Sequence, residues 1–126
     1  MNNLLIAGSV IVTLALIAYT VAIVSEQRKG IISPIVLVFL TLGITLDVTA
    51  TILMIAGSPN SPFTFHGVIG YTALTVMLIE TIIIWRSYLK NGINSKVNRI
   101  AHLYSRYAYL WWVIVYITGG LLVVLI

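Results

Sequence analysis

The sequence predicts an all-α fold: a four-helix transmembrane bundle with short loops and both termini on the outer side. Three observations carry this. Of 126 residues, 60% are hydrophobic and 8% charged. A soluble domain carries about a quarter charged residues, so seven Lys/Arg and three Asp/Glu cannot cover a water-facing surface. Four apolar runs, 4–24, 35–56, 68–85 and 107–126, each approach the roughly 20 residues a helix needs to cross about 30 Å of hydrocarbon. No period-2 alternation persists, and an open sheet would leave backbone groups unpaired in lipid.

The first run has no basic residue before it and is too long for a cleavable signal segment. Ser25-Glu26-Gln27-Arg28-Lys29-Gly30 links it to the second. Ser33-Pro34 then supplies an N-cap followed by proline in the first helical position. Gly57-Ser58-Pro59-Asn60-Ser61-Pro62 is a turn-rich link to the third run, and Lys90-Asn91-Gly92 ends that run before the fourth. Residues 1–126 form one domain. Arg28, Lys29, Arg86, Lys90, Lys96, Arg99 and Arg106 all lie in or beside the first and third links. The positive-inside rule places loops 25–34 and 86–106 in the cytoplasm of a multi-pass protein of the cell membrane. Trp85, Tyr88, Tyr104 and Tyr107 form the inner aromatic belt.

Composition also excludes chemistry. With no Cys there is no disulfide, thiolate metal site or lipidated thiol. The cations sit between apolar runs rather than on a soluble face, so the basic pI points to membrane orientation, not nucleic acid. No nucleophile elbow, zinc-binding helix pair or phosphate-binding glycine loop is present, and no catalytic residue is assigned.

Ionisable groups inside a bilayer are costly and need a reason. Asp47 lies roughly 12 Å below the outer face and Glu80 roughly 9 Å above the inner face, at ~1.5 Å per residue. Two polar layers follow: an outer one of Asp47, Thr51, Tyr71 and Tyr116 with His66 at the rim, and an inner one of Glu80, Tyr19, Arg106 and His102. His102, Arg106, Tyr109, Val113 and Tyr116 share one stripe of the fourth helix, which should face the bundle. Asp47 reads either as a proton or ion site or as a neutral acid bonded to nearby hydroxyls. Glu80 reads either as an internal ion pair with Arg106 or as a proton or ligand site. His66 and His102 read as interfacial histidines, or as ligands or a pH gate. Of Trp111-Trp112 at most one squarely faces the core, because neighbours on a helix point about 100° apart. Gly67, Gly70, Ala73 and Gly119-Gly120 read as close-packing faces.

His66-Gly67-x-x-Gly70-x-x-Ala73-Leu74-x-x-Met77-Leu78, then His102-x-x-Ser105 and Trp111-Trp112-x-x-x-Tyr116-x-x-Gly119, resemble the HsmA family of small bacterial four-span membrane proteins. Leu46-Asp47-x-Thr49-x-Thr51-x-x-Met54 and Ser25-Glu26 are similar to that family's motifs in spans two and one. The resemblance covers nearly the whole chain and implies topology more than mechanism. In the family pattern a second histidine often stands fourteen residues after the first in span three, a spacing suited to stacked haem ligands. Here that position is Glu80, a poor low-spin haem ligand and a better partner for a proton, a hard cation or arginine.

Three functions are expected in turn. The first is a non-enzymatic accessory or stress-related membrane protein whose buried polar cluster binds a small ligand, lipid or partner helix. The second is a b-type haem or quinone redox protein using His66 and His102. The third is a proton-coupled transporter using Asp47 and Glu80, which as four helices would need a homo-oligomer. An intramembrane metal site is disfavoured, since Asp47, His66 and Glu80 spread over about 20 Å.

Overall fold

The computed structural model describes residues 3–57 and 65–125; the side chains of residues 65, 66 and 121–125 lie outside that description. Four helices make up the described chain: α1 (Asn3–Lys29), α2 (Pro34–Gly57), α3 (Phe65–Asn91) and α4 (Arg99–Leu125). There is no strand among the described residues. The helices outrun the expected spans. α1 continues through Ser25 to Lys29, and the third link shrinks to residues 92–98.

Local chemistry fixes the ends at the basic side. Gly30 (φ 66°) and Gly92 (φ 90°) take the left-handed conformation, which costs glycine little. Their amides bond back to Glu26 O (2.7 Å) and Tyr88 O (2.8 Å), closing α1 and α3. Ser33 Oγ accepts the Val36 amide at 3.4 Å and Asn98 Oδ1 the Ala101 amide at 2.8 Å, capping α2 and α4. The two basic links then clasp each other. Ile32 N donates to Ser95 O, Asn94 N to Ile32 O and Val97 N to Gly30 O, at 2.8–2.9 Å. Both links therefore lie at one end of the bundle.

The helices pack as a ring in chain order, α1 on α2, α2 on α3, α3 on α4 and α4 on α1, with α1–α2 the most intimate pair. Each buries one stripe: Ala15, Ala18, Tyr19, Ala22, Ile23 and Glu26 on α1; Val36, Leu40, Gly43, Ile44, Asp47 and Ala50 on α2. On α3 the stripe is Ala73, Met77, Glu80, Thr81 and Ile84, and on α4 it is Ala101, Ser105, Ala108, Trp112 and Val115. The steps are threes and fours, the mark of a helix face. Small residues let α1 and α2 approach. A Cβ on Gly43 would lie 2.5 Å from the Tyr19 ring, and one on Gly8 2.8 Å from Met54. Gly70 and Gly120, expected to pack closely, meet nothing within 4 Å.

The α1–α4 seam is different, for it is bridged by side chains at seven-residue intervals. Tyr116 meets Thr13 at 3.0 Å, Tyr109 meets Thr20 at 2.7 Å, and His102 meets the Glu26/Gln27 turn. Thr13 and Thr20 already donate to Ser9 O and Leu16 O, so the tyrosine hydroxyls donate across the seam. Outward faces are apolar on every helix, including Val10, Ile17, Val38, Ile52, Ile82 and Ile114. Among the described residues, α1, α2 and residues 67–91 of α3 are long and apolar enough to cross a membrane.

Candidate functional site

The chain has three acidic residues, and all three are buried: Glu26 is 1% exposed, Asp47 4% and Glu80 1%. Among the described residues none of them pairs with Lys or Arg. The one carboxylate–base contact is Glu26 with His102. The bundle thus divides into a cationic exterior at one end and an acidic interior.

Asp47 forms one site. Its Oδ2 accepts Tyr19 O–H at 2.9 Å and Trp112 Nε1–H at 2.8 Å, so α2 is tied to α1 and α4 at one atom. The two donors pack edge to face, ring centroids 5.0 Å apart, and Trp112 stacks on Tyr116 at 5.7 Å. Trp112 is the core-facing member of its pair, 3% exposed, while Trp111 is exposed and donates to Thr72. The expected inner-layer place of Tyr19 is corrected: its hydroxyl belongs to Asp47. Tyr116 joins this site through Trp112, not through Asp47 itself. Thr51 bonds the Asp47 carbonyl rather than its carboxyl.

The second site lies about 10 Å nearer the basic end, the rise of the seven residues from Tyr19 to Glu26. Glu26 Oε1 is 2.8 Å from His102 Nδ1, and its Oε2 accepts from Gln27 Nε2. Gln27 also donates to His102 O at 2.9 Å and accepts Arg106 Nε–H at 3.0 Å. The expected Glu80–Arg106 ion pair is therefore corrected. Arg106 turns outward and donates to the Gln27 amide oxygen, which spares a guanidinium from burial. Glu80 instead meets Ser105: their oxygens are 2.7 Å apart, while Ser105 Oγ is also 3.0 Å from Ala101 O. Glu80 Oε2 is buried and has no partner among the described residues. Ser105 stands three residues after His102 on α4, so the Glu80 and Glu26 contacts lie about one helical turn apart on that helix. Tyr104 donates to Val76 O at 2.9 Å, tying α4 to α3.

A serine hydroxyl has one proton to give. Ser105 serves Glu80 or Ala101 O, not both. With Glu80 ionised, Ser105 donates to the carboxylate. With Glu80 protonated, the acid donates to Ser105 Oγ, and Ser105 donates to Ala101 O. The same atom positions satisfy both states. His102 is a quarter exposed and touches fully buried Glu26, so a proton has titratable groups to meet from surface to interior.

His66 falls in the first turn of α3, and its side chain lies outside the described residues. It is fourteen residues from Glu80, and His102 is beyond Ser105, so the two histidines are about 25 Å apart along the axis. They do not share one haem. No group of three metal-ligating side chains forms among the described residues. The Tyr71 carbonyl accepts the Thr75 hydroxyl at 2.8 Å.

In the sequence Glu26 and Ser105 stand out only as parts of the motif resemblance, not as site residues. Glu26 was assigned to the link because the apolar run ends at Val24. Its register continued the stripe of Tyr19, Ala22 and Ile23, which was the available signal. Compared with known proteins, the chain matches no family model, no curated protein and no solved structure.

Proposed function

We propose that this chain is a non-enzymatic, four-span membrane protein that reversibly binds a proton in the Glu26–Glu80–His102 cluster, taken up from the side of the basic loops. The observation that carries this reading is the pairing of Glu80 with Ser105, whose alternative acceptor lets either protonation state of the acid be bonded. The burial of every acid away from every Lys and Arg supports it: the cluster lacks a fixed counter-cation and gains from an added positive charge.

α4 acts in this reading as the fourth span. It bonds to α1 at three levels along its length, so the two helices share one range of depth. The positive-inside rule puts the clasped links in the cytoplasm and both termini opposite. An HsmA-type assignment goes with this topology and rests on motif order alone.

Potentiometric titration of the purified protein in detergent, compared with Glu80→Gln, tests the reading. The wild type should take up one more proton than the variant between neutral and acidic pH. Superimposable curves would overturn it.

A further inference from the structure

At the basic end two shallow concavities on the α3–α4 face meet at Asn98. The one nearer the bilayer is walled by Ile83, Ile100 and Tyr104, with Arg99 at its edge. The other is walled by Arg86, Ser87 and Lys90. Tyr104 is tied to α3 by its bond to Val76 O, which anchors one wall of the apolar half.

Among the described residues, the charges beside this groove have no carboxylate counter-ion. All three acids of the chain are buried in the interior, so the surface presents no Asp or Glu to Arg86, Lys90 or Arg99. Three cations line the two adjoining concavities, Arg99 the apolar one and Arg86 and Lys90 the other, where the apolar exterior of α3 gives way to the basic link. Long basic side chains at this level extend their heads toward the interface while their stems stay in apolar surroundings.

We propose that this groove is a binding site for one anionic phospholipid, with its phosphate on Arg86, Lys90 and Arg99 and an acyl chain along Ile83, Ile100 and Tyr104. A zwitterionic lipid brings its own cation to the phosphate and satisfies the three bases less well. A free phosphate uses the basic half and leaves the apolar half uncovered. The site requires membrane insertion of α3 but not proton binding at Glu80.

Native mass spectrometry of the detergent-solubilised protein tests this, with phosphatidylglycerol, phosphatidylcholine or inorganic phosphate added separately. The wild type should retain one phosphatidylglycerol in preference to phosphatidylcholine. Arg86→Gln/Lys90→Gln should lower its affinity roughly thirty-fold, from about fivefold per interfacial cation. Arg28→Gln/Lys29→Gln removes as much charge from the other link and should leave retention unchanged. Circular dichroism of each variant checks that the helices persist. Equal retention of phosphatidylcholine, equal loss in the Arg28/Lys29 variant, or binding of phosphate as tight as that of the lipid would each overturn the proposal.

Discussion

Asp47 and Glu80 are both carboxylates inside the same bundle, and their surroundings give them opposite roles. Asp47 collects two donors on one oxygen, from Tyr19 and Trp112, and both donors are wedged by aromatic contacts. Among the described residues, neither donor has another hydrogen-bond partner to turn to. Glu80 has one partner, Ser105, which has a second acceptor in Ala101 O, and a buried oxygen with no partner among the described residues. An acid that anchors buried donors from two other helices holds those helices together. An incompletely bonded acid with a switchable neighbour can exchange a proton. Burial is the same in both, so burial alone does not distinguish structure from function.

The largest effect expected from this contrast is on stability at Asp47. Asp47→Ala strands two buried donors, at about 1–3 kcal/mol each, and should lower the free energy of unfolding by about 3 kcal/mol. Tryptophan fluorescence during unfolding in mixed detergent micelles would measure it. A loss below about 1 kcal/mol would remove the structural role. Gly43→Ala tests the same knot from the neighbouring position. Its new Cβ meets the Tyr19 ring, which Asp47 holds in place, so overpacking should cost about 2 kcal/mol in the same assay.

Glu80→Gln should change stability by less than about 1 kcal/mol, because an uncompensated buried acid is replaced by a neutral group that still accepts from Ser105. A cost matching Asp47→Ala would show that both acids are structural. The smallest effect is a gain. Gly70→Ala meets open space on a helix and should stabilise by about 0.5 kcal/mol, detectable as a slightly higher midpoint.

Much of this was legible in the residues. Apolar run length located the helices, and the seven cations marked the end at which the two basic links clasp. The depth argument singled out Asp47 and Glu80. Partners were not legible, because they depend on how each helix is rotated in the ring. Arg106 is one residue from Ser105, yet about 100° around α4 from it, so the arginine points outward while the serine meets Glu80. Likewise Gly43 and Gly70 are alike in sequence, and only the approach of α1 makes one of them essential to packing. The burial of Glu26 was not legible from hydropathy, which marks where a helix leaves lipid, whereas helical register continues to mark its buried face beyond that point.

The most direct test of the division between the two acids is the infrared difference spectrum of the protein in lipid between acidic and neutral pH. It should be recorded for the wild type, Glu80→Gln and Asp47→Asn. A titrating protonated-carboxyl band that disappears in Glu80→Gln and survives in Asp47→Asn is the predicted result. A band that survives in Glu80→Gln and disappears in Asp47→Asn would contradict the account.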